Sequence, residues 1–201
     1  MSEKQTTWRA AFTKTIEVLA KQGLGDLVGA FEYELEVQQL RLDLRWFPVF
    51  LKMQNCPRRV QELAEFEYLR AQAYAMDMGP PRLDPGLITL NPQAQFVEVH
   101  EHLDEIGRGP GLYCMVKSGA RFFEMELSLQ QALLLDLLRE DRKYSREQLF
   151  DMAEIHEVKL GLSRQQWDAT LQTLLDREVV VVGPAVGARV SAPVAADIQT
   201  R

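Results

Sequence analysis

A chain of 201 residues that is 46% hydrophobic and 26% charged suits one large domain or two small ones with a buried core, and lies outside the compositional range of disorder. Its formal charge of −6 sets the overall field against a phosphate backbone, so nucleic acid is not an expected partner. Met1 to Thr7 carry no apolar run behind a basic cluster, and no apolar stretch reaches membrane-spanning length. A cytoplasmic protein without a membrane partner is expected, with Cys56 and Cys114 as unpaired small hydrophobes.

Trp8 to Gln22 places Phe12, Ile16 and Leu19 at helical spacing, and Gly23-Leu24-Gly25 ends that helix. Asp26 caps a second helix predicted to run through Phe31, Leu35 and Leu42 towards Pro48, with its glutamates early and Arg41 and Arg45 late, as the helix dipole favours. A third helix is predicted from Pro57 through Val60, Leu63, Ala64, Ala71 and Tyr74. Pro80, Pro81, Pro85 and Pro92 make the next stretch a poor helix or strand, which predicts a linker over 79–94 between a helical domain, 1–78, and a second domain, 95–192.

Beyond the linker the period changes. Val97 and Val99 alternate with Glu98, His100 and His102, as in a half-buried strand; Leu112 to Lys117 and Arg121 to Leu127 follow as strands joined by a turn at Ser118-Gly119. Ser-x-x-Gln then recurs at Ser128, Ser145 and Ser163, predicting three helices that each open on a capping box. Their apolar stripes are Leu129 to Leu138, then Leu149, Phe150 and Ile155, then Trp167, Leu171, Leu174 and Leu175. Glu178 to Val182 reads as a strand, Gly183-Pro184 as a turn and Ala188 to Ser191 as a return strand, before a loose tail at 193–201. The expected class is therefore α+β: an N-terminal helical region followed by a winged-helix-like module with a small antiparallel sheet.

A winged helix suggests DNA, but the helix from Ser163 to Arg177 balances Arg164 and Arg177 against Asp168 and Asp176, and acids outnumber bases from Ser128 onward. The basic footprint of a DNA-binding face is missing. His100 and His102 on one strand face are weak candidates for metal ligands, without a third ligand at a recognisable spacing. Gly107 to Gly111 opens no helix and reads as a loop, and no hydrolase, nucleotide or metalloprotease motif is present. Recognition by surface remains: a sheet edge beside a helix accepts an extended peptide as an added strand. The candidate peptide-binding residues are Arg121, Phe122, Glu124 and Glu126 on the last strand of the sheet, and Arg164 and Trp167 on the third helix of the module.

Leu63 to Leu69 with Met78 to Pro85, and Gly111 to Lys117 with Leu127 to Leu134, resemble the partner subunits of multinuclear non-haem iron oxidases, of the methanobactin and thiaglutamate types. The resemblance spans roughly residues 57 to 140. It implies a non-catalytic chain that holds the leader of a ribosomally made precursor peptide and presents its cysteine to a TIM-barrel iron oxidase. The iron then belongs to the partner subunit and no cofactor to this chain; the thiaglutamate type is favoured. Two alternatives stand beside it: a winged-helix regulator of DNA or another protein, and a lone metal enzyme using His100 and His102.

Overall fold

The computed structural model describes residues 8–38, 43–76, 83–139, 142–156 and 161–184. Residues 8–11 are helical, Phe12 lies in a turn, and α1 (Thr13–Lys21), α2 (Asp26–Val37), α3 (Trp46–Met53) and α4 (Arg58–Ala75) follow. Next come β1 (Ile88–Leu90), β2 (Gln95–Val99), a 3-10 turn (Asp104–Ile106), β3 (Gly111–Ser118) and β4 (Arg121–Glu126). The described chain ends with α5 (Leu129–Leu137), α6 (Arg146–His156), α7 (Arg164–Asp176) and β5 (Val180–Val182). The class is α+β, with β2, β3 and β4 in one antiparallel sheet and β1 with β5 in another. Among the described residues no helix is long and apolar enough to cross a membrane.

Three expectations are corrected here. The helix from Asp26 stops at Val37, and Pro48 lies inside the first turn of α3 instead of ending a helix, where its missing N–H has no intrahelical partner to lose. The segment expected to be a structureless linker contains β1, which pairs Ile88, Thr89 and Leu90 with Val182, Val181 and Val180. Ile155 is 67% exposed and does not belong to the buried stripe of α6. The expected return strand at 188–191 lies outside the described residues. Gly183 closes the β1–β5 junction under a close backbone contact, since a Cβ there would sit 1.9 Å from the Asp84 carbonyl oxygen.

All three capping boxes form. Gln131, Gln148 and Gln166 each donate their main-chain N–H to the hydroxyl of Ser128, Ser145 or Ser163, at 3.3, 3.2 and 3.4 Å, and each glutamine side-chain carbonyl oxygen accepts the serine main-chain N–H in return.

The three-stranded sheet lies between two apolar clusters because its side chains alternate. Val97, Val99, Tyr113 and Met115 join Trp8, Phe12, Phe31, Phe47 and the buried face of α4, while Cys114 and Val116 join Leu134, Leu149, Trp167 and Leu171 from the three C-terminal helices. The first cluster is anchored by aromatic rings, with Trp8 5.0 Å from Phe47 and 5.2 Å from Phe31. Glu67 of α4 ties α1 down: its carboxylate accepts the Lys14 and Thr15 N–H groups and the Thr15 hydroxyl at 2.8–2.9 Å, capping that helix from another element.

Candidate functional site

The β3–β4 hairpin turns through Gly119, whose φ of 54° is open to glycine at little cost, and pairs Ser118 with Arg121. Leu127 N–H donates to the Leu112 carbonyl at 2.8 Å, which fixes the phase of the ladder. The hydrogen-bonded partners are thus Cys114 with Met125 and Val116 with Phe123, and the main-chain groups of Phe122, Glu124 and Glu126 turn away from β3. β4 is an edge of its sheet, and among the described residues these outward N–H and C=O groups have no hydrogen-bond partner. On the opposite edge the same alternation turns out only Phe96 and Glu98 of β2.

Each face of the β4 edge is walled. On the α4 side Phe122 lies 5.9 Å from the Tyr74 ring, and Lys117 sits over that ring while donating to the Tyr74 carbonyl at 2.9 Å. The Glu124 carboxylate is 10% exposed and accepts from Arg70 at 2.8 and 3.0 Å and from Arg108 at 3.0 and 2.5 Å. Two guanidiniums share one carboxylate, and they stack in turn on Phe66 and Tyr113. On the other side the Arg177 guanidinium lies 5.5 Å from the centre of the Phe123 ring, beside half-buried Met125.

Arg121, Phe122, Glu124 and Glu126 therefore share one strand, whereas the two residues predicted on α7 lie elsewhere. Trp167 is 1% exposed and packs in the second cluster, so it is no wall of a groove; the apolar spacing that suggested it is the spacing of a core helix. Arg164 is engaged by Asp151 and Glu154 of α6. The residue that reaches β4 from this region is Arg177, at the end of α7. Arg70, Tyr74 and Arg108 went unnoticed in the sequence because only the fold brings them to the strand.

His100 and His102 do not share a strand face, because β2 ends at Val99: His100 Nδ1 lies 3.1 Å from Glu62 Oε1 and its Nε2 3.4 Å from Glu98 Oε1, while the His102 ring lies beside Gly109. Among the described residues no group of three or more His, Cys, Asp or Glu side chains is arranged to hold a metal ion. Glu62 lines an open depression of about 410 Å³ with Arg45, Lys52, Arg58, Tyr68 and His100. Burial alone would raise the Glu62 pKa, but the His100 and Glu101 amides and the Arg58 guanidinium outweigh it and hold the carboxyl below its usual value. Both cysteines are buried and unpaired, and burial pushes the Cys114 thiol up to about 12.

No protein-family model and no curated protein matches the sequence.

Proposed function

We propose that this chain is a non-catalytic, peptide-presenting subunit of a heteromeric iron-dependent oxidase, and that it takes up the leader of a ribosomally made precursor peptide as a fourth strand along β4. The observation that carries the reading is the outer edge of β4, unpaired among the described residues, which offers three N–H and three C=O groups between walled faces. Main-chain bonds along such an edge supply affinity, and the walls select side chains. Holding the peptide beside the oxidase raises its effective concentration at the partner's iron without any bond being broken on this chain.

The resemblance over residues 57 to 140 supplies the peptide's class and the TIM-barrel partner in this proposal, with the thiaglutamate type favoured. A winged-helix-like reading of the C-terminal module draws support from α5, α6, α7 and β5 in that order, and from the bridge between Tyr144 and Ile88. In that reading β1 fills, from upstream, the position expected for the return strand. A DNA-binding regulator is less well supported, because Arg164 is already paired.

The test is to purify the chain alone and with a coexpressed candidate iron oxidase, and to assay iron, peptide affinity and peptide conversion. Iron and conversion are expected only in the complex. Glu126→Pro removes an outward donor without touching the ladder to β3, and is expected to weaken peptide binding roughly threefold to tenfold. Turnover by the lone chain, or unchanged affinity in the folded Pro variant, would reject the reading.

A further inference from the structure

Resting on strand addition at β4, we infer that the peptide this edge selects is acidic. The chain as a whole carries −6, yet among the described residues the β4 edge is bordered by cations in excess. Arg70 and Arg108 share the single carboxylate of Glu124. Lys117 donates to a main-chain carbonyl and lies over Tyr74, and among the described residues it meets no carboxylate. Arg121 is exposed at the hairpin, and the exposed Arg177 guanidinium rests on Phe123.

Against these five cations stand, among the described residues of the edge, Glu124, Glu126 and Glu178, the last accepting a hydrogen bond from Ser118. The local sign is therefore opposite to that of the whole molecule. It is also distributed over both faces: Lys117 shares the α4 side with Phe122, and Arg121 and Arg177 share the side of Phe123. An added strand presents alternate side chains to these two faces, so carboxylates at either parity meet a cation that no carboxylate among the described residues pairs. Carboxylates there gain an attraction that the net negative charge of the molecule does not offer, which makes the charge a device for partner choice.

The probes are labelled twelve-residue peptides alternating Thr with Glu, Gln or Lys, titrated into the full chain by fluorescence anisotropy at low and at physiological salt. The Thr-Glu peptide is expected to bind about tenfold or more tighter than Thr-Gln at low salt, with the gap narrowing as salt rises. Lys117→Gln, Arg121→Gln and Arg177→Gln combined, in a chain whose melting temperature is retained, are expected to bring the Thr-Glu affinity down to the Thr-Gln value. Equal affinity for Thr-Glu and Thr-Gln, with both lost in Glu126→Pro, overturns the acidic preference and leaves strand addition standing. Binding of no peptide, or binding indifferent to Glu126→Pro, overturns strand addition itself. A single-stranded oligonucleotide that outcompetes Thr-Glu and ignores Glu126→Pro overturns the peptide as the ligand.

Discussion

Glu62 and Glu67 are both almost fully buried on α4, and both accept backbone N–H groups. For Glu67 burial is the dominant influence and leaves the carboxyl above its usual value, despite the Thr15 and Lys14 donors; for Glu62 the donors and Arg58 prevail over burial and leave it below. The consequences for stability have opposite signs. The Glu62 contribution is present above the ordinary value of 4.5 and fades as pH falls through the lower native pKa. The Glu67 contribution is fully present below 4.5 and fades as pH rises through the higher native pKa. The stability of the native protein relative to Glu62→Gln should therefore grow with rising pH, and relative to Glu67→Gln it should shrink. Urea unfolding of the three proteins across the acidic range measures both slopes, and slopes of the same sign would contradict these environments.

Local signals at the scale of elements were legible where the physics is local. Ser128, Ser145 and Ser163 announced three helix starts because a capping box needs only a serine and a glutamine three residues on. The alternation of Phe122, Glu124 and Glu126 with Phe123 and Met125 likewise announced β4 and its two faces. β1 was hidden: three residues among prolines carry almost no period, and their partner strand lies at the far end of the described chain. Trp167 was misleading as a site residue, since a stripe at helical spacing is the same whether it meets a core or a ligand. At the candidate site, the strand could be read and its walls could not, because Arg70, Arg108 and Arg177 reach it through tertiary packing. If β1 is structural, Ile88→Ala should cost about 2–4 kcal/mol, since Ile88 is 3% exposed in the second cluster. A change below about 0.5 kcal/mol in urea unfolding would mean that the strand contributes little.

For the molecule as a whole, the shared sheet decides whether the two apolar clusters are separable. Tyr113 and Met115 point into one cluster and Cys114 and Val116 into the other, so β3 cannot leave either core without disturbing both. The Arg70–Glu124–Arg108 group adds a polar tie between α4, the loop before β3 and β4. Removing residues 1–78 would strip the apolar face of Val97, Val99, Tyr113 and Met115 of its cover, exposing surface worth about 25 cal/mol per Å². The clusters should therefore unfold together, although the proline-rich stretch looks in sequence like a boundary between two units. Trp8 and Trp167, each 1% exposed, report on one cluster apiece. Phe substitutions at two of the three tryptophans leave either one as the sole indole, and its fluorescence can be followed against circular dichroism during urea unfolding. Coincident midpoints in both variants are the expected result. A Trp8 signal lost before that of Trp167, with circular dichroism split between the two steps, would mean that the sheet parts from one cluster while it still holds the other.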